Sequence, residues 1–234
     1  MITYSKPNKK YPIELLQNDL RNITDNWTSH FNTAHYSGKW TVFPLRTPGG
    51  TDSIIPELHQ VDRFENHANM KLFPSVKQLI ETFECEVMSV RLLNLGAGSV
   101  IKQHRDAELA FEKGEARLHF PIQTNTDVEF YINNERIIMN EGECWYINAN
   151  LPHRVNNKGL TNRVHLVIDC KVNPWLEQLI LNTDTIAHAP DESRDPEVLK
   201  QMIFSLKEQG TTRALEMAEE LQQEYNTLLT ANQQ

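Results

Sequence analysis

The chain has 234 residues, enough for one sizeable core and a small appendage. Its 31 acidic residues outnumber the 23 basic ones, for a formal net charge of −8. That balance argues against nucleic acid or an anionic membrane as the principal partner, and it requires any small anionic ligand to find a local basic site.

The start, Met1 to Tyr11, is polar and lysine-rich with no apolar signal core. No stretch approaches the about 18 consecutive apolar residues of a membrane span, so the expectation is a cytoplasmic protein that engages no membrane. Cys85, Cys144 and Cys170 show no CxxC spacing, which points to buried reduced thiols rather than a disulfide framework or a structural zinc. Asn22-Ile23-Thr24 and Asn26-Trp27-Thr28 match the glycosylation sequon, but without a secretory signal they carry little weight.

From Pro12 to Trp27 the apolar residues Ile13, Leu16, Leu20, Ile23 and Trp27 recur at spacings of three and four, which predicts an amphipathic helix with proline at its start. Gly38 to Arg46 is strand-like and runs into the Pro48-Gly49-Gly50 turn, and Phe73 to Phe83 repeats the helical period. From Val87 to Asp169 short β-rich runs alternate with Gly, Asn and Asp clusters. The expected strands are Val87 to Leu95, Ser99 to His104, Ala116 to Ile122, Val128 to Ile132, Arg136 to Met139, Cys144 to Ile147, His153 to Asn156 and Arg163 to Asp169. Asn133-Asn134 suits a tight hairpin because asparagine tolerates positive φ. The economical architecture is mainly β with flanking helices: a jelly roll, cupin-like, with a C-terminal helical segment.

After Pro174 the chain becomes helical again, with a polar break at Asp191 to Pro196, a helix over Glu197 to Gln209, Gly210 as its cap, and a helix over Thr212 to Leu229. The expected division is residues 1–172 for the β domain with its N-terminal helices and 173–234 for the helical region. Leu215, Ala218, Leu221, Tyr225 and Leu228 share one face of the last helix, a stripe that suits packing on the barrel or a homodimer.

His104-Arg105-Asp106 ends a predicted strand, and i, i+2 spacing points both outer side chains to one face. His153 opens another predicted strand, which a jelly roll can bring beside the pair. Two histidines and a carboxylate on one face of an octahedron form the facial triad of non-haem Fe(II) oxygenases. Taken alone the H-x-D pair is weak, because nine histidines and 31 acids produce about one such pair by chance; a surface His and Asp at a strand end is the competing reading. Arg163 starts the next strand, where its guanidinium fork suits the far carboxylate of a chelated dicarboxylate or, equally, an edge position. Arg117 and His119 form a second i, i+2 pair, facing a bound carboxylate or a salt-bridge partner.

The run from Arg91 through Gly96-Ala97-Gly98 to His104-Arg105-Asp106, then Arg117-Leu118-His119-Phe120-Pro121-Ile122, Gly142-Glu143-Cys144-Trp145-Tyr146-Ile147-Asn148, His153 and Arg163 to Asp169, resembles the aspartyl/asparaginyl β-hydroxylase-type domain. Order and spacing match over about Val87 to Cys170, and Gly38-Lys39-Trp40 to Arg46 resembles an N-terminal strand of the family's bacterial free-proline hydroxylases. The resemblance implies a double-stranded β-helix with Fe(II), 2-oxoglutarate and O2, and ascorbate as the reductant in vitro. It implies His104 and His153 as iron ligands, Arg163 on the distal carboxylate of 2-oxoglutarate, and Arg117 with His119 near the co-substrate's iron-binding end. Family members acting on epidermal-growth-factor-like domains lack the carboxylate ligand that Asp106 supplies here, which favours the proline-hydroxylase-like branch.

The implied reaction is hydroxylation of a free amino acid such as proline, coupled to decarboxylation of 2-oxoglutarate to succinate and CO2. Trp40, Arg46 and Arg105 are the expected substrate contacts, with core packing and a strand-edge charge as the alternatives for Trp40 and Arg46; Trp145 and Tyr146 suit the core. The competing readings are a peptidyl aspartyl/asparaginyl β-hydroxylase, a non-oxygenase metal-binding cupin and a metal-free module. The last would leave His104, Asp106 and His153 converging without a partner, which buried polar groups rarely tolerate.

Overall fold

The computed structural model describes residues 1–23, 27–54, 63–106, 109–189 and 196–231. In chain order the strands are β1 (Ile2–Ser5), β2 (Thr28–Ser29), β3 (Tyr36–Ser37), β4 (Trp40–Pro48), β5 (Phe64–Asn66), β6 (Val87–Leu95), β7 (Val100–His104), β8 (Glu115–Gln123), β9 (Val128–Ile132), β10 (Glu135–Ile137), β11 (Trp145–Ile147), β12 (His153–Asn157), β13 (Arg163–Lys171) and β14 (Ile186–His188). The helices are α1 (Ile13–Arg21), α2 (Pro74–Glu81), α3 (Pro174–Leu181), α4 (Pro196–Gln209) and α5 (Thr212–Ala231).

Two antiparallel sheets form the body. The larger runs β14-β1-β11-β8-β13-β6-β4-β2 with β5 beside β4, and the smaller runs β10-β9-β12-β7-β3. Strands β6 to β13 alternate between the two sheets except at the β9–β10 hairpin, β11-β8-β13-β6 in one and β10-β9-β12-β7 in the other, which is the expected jelly roll. The β9–β10 hairpin turns through Asn133 and Asn134, with φ of 46° and 68°.

The central strands of the larger sheet are covered on both faces, and period-2 alternation divides their side chains. Val90, Leu92, Leu118, Phe120, Leu166 and Ile168 join one apolar cluster with Leu16 of α1, Val76 of α2 and Leu176 of α3. Leu93, Leu95 and Val167 turn the other way and meet Ile101, Phe130, Ile132 and Val155 of the smaller sheet. Arg91, Arg117, His119, Arg163, His165 and Asp169 lie on this second face, inside the barrel, and all are buried.

Several expectations shift. The predicted first helix stops at Arg21; its apolar spacing runs on to Trp27, which packs on Phe43 at 5.6 Å between ring centroids from non-helical backbone. Residues 24–26 and the break predicted at Asp191 to Pro196 lie outside the described residues, apart from Pro196, which opens α4. The N-terminal stretch, lacking any periodic signal, contains β1, whose pairing with β11 and β14 is supplied by its neighbours. The compact units are Met1–His188 and Ala189–Gln234, so α3 and β14 belong to the first unit rather than to a region starting at 173: α3 buries Leu176 and Ile180 in the helix-side core. In the second unit α4 buries Leu199 and Ile203, while α5 buries Ala214 and Ala218; Leu215 of the expected stripe is exposed. No helix among the described residues is long and apolar enough to cross a membrane.

Gly38 fixes the corner between β3 and β4. Its φ is +84°, and an added Cβ would lie 3.0 Å from the Cα of Ser99, whose hydroxyl accepts the Lys39 N–H at 2.8 Å. Gly38→Ala is therefore expected to lower stability by about 2 kcal/mol, observed as a lower urea midpoint with an unchanged slope.

Candidate active site

The ligand-capable atoms of His104, Asp106 and His153 all lie within 4.8 Å of one another, the single such cluster among the described residues. Register brings the histidines together: β12 pairs β7 with His153 directly opposite His104, and the rings stand 4.2 Å apart between centroids. Each imidazole is oriented by a main-chain carbonyl, which can only accept. His104 Nδ1–H donates to Lys102 O at 2.8 Å and His153 Nδ1–H to Leu151 O at 3.0 Å. That fixes the tautomer and leaves both Nε2 atoms as donors to a metal. His104 Nε2 lies 3.8 Å from Asp106 Oδ1, and the Asp106 N–H is held by Ala149 O at 2.9 Å.

Two protonation states follow from the surroundings. Burial pulls His153 down to about 4, with His104 acting in the same direction, so the ring is neutral and free to ligate. Burial alone would raise Asp106, but Arg117, followed by His153 and His104, outweighs it and holds the carboxyl below its usual range. Arg117 itself bonds Asp106.

A cavity of about 330 Å³ opens beside the cluster, lined by Arg91, Arg117, His119, Phe130 and Arg163 among others. Three charged side chains at one end are locked together. Asp169, 1% exposed, receives Arg117 Nε at 2.7 Å and Nη2 at 3.1 Å, Arg91 Nη1 at 3.0 Å and the Ser89 hydroxyl at 2.7 Å. Burial would raise its pKa, but Arg117 and Arg91 hold it far below the usual carboxylate value.

Arg163 is different. It is 2% exposed, no carboxylate among the described residues pairs with it, and its Nε has no hydrogen-bond partner. One Nη meets His165 Nδ1 at 2.8 Å, and burial lowers the guanidinium to about 9. A buried cation with an open donor calls for an anion. His119 is likewise held neutral, by burial first and then by Arg163 and Arg117.

The expected site residues divide accordingly. His104, Asp106, His153, Arg163, Arg117, His119, Trp40 and Arg105 all line the cavity. Arg117 is a salt-bridge partner of both Asp169 and Asp106. Trp40 stacks on His30 with centroids 3.5 Å apart and planes 9° from parallel, and its buried Nε1 has no hydrogen-bond partner. Arg46 is not in the cavity: the register shift between Pro44 and Arg46 breaks the alternation of β4, and its guanidinium is bound to Val87 O and Asn66 Oδ1, each at 3.1 Å. Trp145 and Tyr146 are core residues, as expected.

Sequence reasoning missed Arg91, Asp169, His165 and His30. The first three alternate with apolar residues on β6 and β13 as Arg117 does on β8, and the same period-2 argument identifies them. His30 sits outside any strand and carries no such signal. Asp169→Asn leaves the buried Arg91 without its carboxylate and Arg117 with Asp106 alone, so it is expected to cost about 3–5 kcal/mol in urea unfolding at neutral pH. The gap from the parent protein should close in acid, because a depressed folded pKa gives stability that is complete above the unfolded value and lost as pH falls below it.

Comparison with known proteins places this geometry in context. A family model described as aspartyl/asparaginyl beta-hydroxylase matches residues 13–173. The L-proline cis-4-hydroxylase of Rhizobium meliloti (strain 1021) is 28% identical over 150 residues, covering 63% of this chain and 53% of that protein. The chain thus spans about half the length of the curated relative it matches. Among solved structures, a 2OG-Fe(II) oxygenase family oxidoreductase from Burkholderia pseudomallei aligns with a TM-score of 0.47 at 12% identity, over 68% of this chain and 76% of that one. A prolyl-4-hydroxylase from Pseudomonas putida aligns with a TM-score of 0.45 at 10% identity, over 74% and 94%. Since the family model takes in all of β6 to β13 and well over half of the sequence, the chain belongs to the aspartyl/asparaginyl β-hydroxylase family.

Proposed function

We propose that this protein is an Fe(II)- and 2-oxoglutarate-dependent dioxygenase that hydroxylates a free amino acid, with proline favoured. The observation that carries the reading is the pairing, in one cavity, of a His-Asp-His cluster with a buried arginine that lacks a counter-anion among the described residues. A metal-binding cupin of another kind has no use for the second feature.

The donor set fits the iron. Two imidazoles with their Nε2 atoms free and one carboxylate kept ionised leave open coordination positions, as the facial triad requires. His104, Asp106 and His153 would hold Fe(II), which with 2-oxoglutarate and O2 supplies an oxidant able to insert oxygen into a C–H bond, with succinate and CO2 as co-products. The chain's own groups do the rest. Arg163 receives the distal carboxylate of the co-substrate, and the neutral His119 lines the same cavity without adding charge. Arg117 keeps Asp106 deprotonated and oriented. Trp40, stacked on His30, forms a flat wall that excludes water and limits the poses of the target carbon; Arg105, exposed at the mouth, offers a cation to an incoming carboxylate.

A cavity near the small end of the roughly 300–1,000 Å³ range of ligand pockets suits a free amino acid better than a peptide. The presence of Asp106 points the same way, since the resemblance to peptidyl hydroxylases fails at that position. The likeness to L-proline cis-4-hydroxylase makes proline the first substrate to test.

The test is succinate formation under air with Fe(II), 2-oxoglutarate and ascorbate across free amino acids and short peptides, with mass spectrometry for an added oxygen. Stimulation by proline or another free amino acid supports the reading; stimulation by peptides alone replaces it with the peptidyl one. Absence of the visible Fe(II)–2-oxoglutarate band in anaerobic iron-loaded protein sinks the oxygenase assignment. His153→Ala should lower turnover by more than about 100-fold, beyond the loss typical of an outer-shell partner. Arg163→Ala should leave iron bound and raise the 2-oxoglutarate requirement by about 30-fold or more, since truncating one side of a buried charge pair costs about 2 kcal/mol or more.

A further inference from the structure

The three cysteines lie in the helix-side core, outside the cavity. Cys144 and Cys170 are buried, as the sequence suggested, but Cys85 is only half-buried and borders a surface groove of about 370 Å³ shared with Arg46, Lys77 and Val87. Cys170 faces Val87 across the β6–β13 ladder, and the Lys171 N–H donates to Glu86 O at 3.0 Å, so pairing extends past the start of β6 toward Cys85. Cys85 stands two residues before Val87, in the bend that leads into β6, and packs in the same apolar cluster as Cys170. The two thiols influence one another there.

That influence makes the pair unequal. Cys170, helped by Lys9, draws the Cys85 thiol below its usual pKa against the opposing effect of burial. Cys170 is pushed well above its own usual value by Cys85 and then by burial. A half-exposed thiol with enhanced thiolate character beside a second thiol is the arrangement of an attacking and a resolving cysteine.

We propose that Cys85 and Cys170 form an oxidative modification site, a dithiol that hydrogen peroxide converts into an intrachain disulfide. The Cys85 sulfur bonds to one peroxide oxygen as the O–O bond breaks, giving a sulfenic acid; the departing hydroxide leaves as water with the proton of the Cys85 thiol. The Cys170 sulfur then displaces the remaining hydroxyl, which leaves as a second water with the Cys170 proton. The two sulfurs give up two electrons and the peroxide accepts them. The new bond ties the entry of β6 to β13 beside Asp169, the residue that anchors Arg91 and Arg117.

The full chain, with a chelator present to suppress iron-driven radical oxidation, is treated with hydrogen peroxide and alkylated in denaturant before intact-mass and peptide mass spectrometry. The expected result is a loss of two hydrogen atoms, linked peptides carrying Cys85 and Cys170, alkylation confined to Cys144, and full reversal by dithiothreitol. Cys85→Ala should abolish the mass loss, and Cys170→Ala should leave a Cys85 sulfenic acid that dimedone captures. Because Cys85 lies at the edge of the core, its variant carries the test alone if Cys170→Ala does not fold. Three alkylatable thiols after treatment, a sulfinic acid at Cys85 with Cys170 free, or a link through Cys144 would each overturn the proposal. None of these readouts depends on iron binding or turnover.

Discussion

The larger sheet is buried on both faces, and that constraint organises the molecule. One face of β6, β8 and β13 must be apolar to receive α1, α2 and α3, and alternation then commits every second residue to the barrel interior. A polar group sent inward has no water to satisfy it and must find a partner there. Asp169, Arg91, Arg117 and Ser89 satisfy one another across adjacent strands. The chemistry of the cavity is therefore set by the same register that fixes the fold; a one-residue slip of β13 would turn Arg163, His165 and Asp169 toward the helices.

Within this interior the charges are unevenly settled. Arg91 and Arg117 share Asp169, and Arg117 reaches on to Asp106, whereas Arg163 is buried with an open donor. A buried ion pair is weak evidence for stability, because its attraction is set against the desolvation of both partners. An unpaired buried cation is costlier still, and a fold that keeps one carries a standing affinity for an anion of matching shape. The depressed pKa of Arg163 is the same fact seen through its proton equilibrium.

Much of this was legible in the sequence because it obeys a period of two. Arg117 and His119 were assigned to one face and Leu118 with Phe120 to the other from spacing alone, and β6 and β9 begin and end where the pattern places them. His104 and Asp106 come together as the spacing suggested, although β7 ends at His104 and Asp106 follows it outside the strand. Spacing says nothing of partners, so Asp169 went unnoticed although it neutralises two arginines. Arg46 lies outside the cavity because a register shift between Pro44 and Arg46, visible only in the pairing with β6, breaks the alternation that sends Trp40 and Val42 inward. The first strand, four residues long, is defined by its neighbours β11 and β14 and offers too few positions for any period to appear.

Arg117 is the residue through which these arguments meet. Its Nε and Nη2 are fixed by a carboxylate that sits on the neighbouring strand, and its Nη1 is thereby aimed at Asp106. A free aspartate at a strand end, beside two imidazoles, would sample several rotamers; this one is held by a guanidinium that is itself immobile. The consequence reaches protonation as well as geometry, since the same cation keeps Asp106 ionised despite burial. Asp169 thus acts on the His104, Asp106 and His153 cluster without touching it, through one planar side chain that serves two carboxylates.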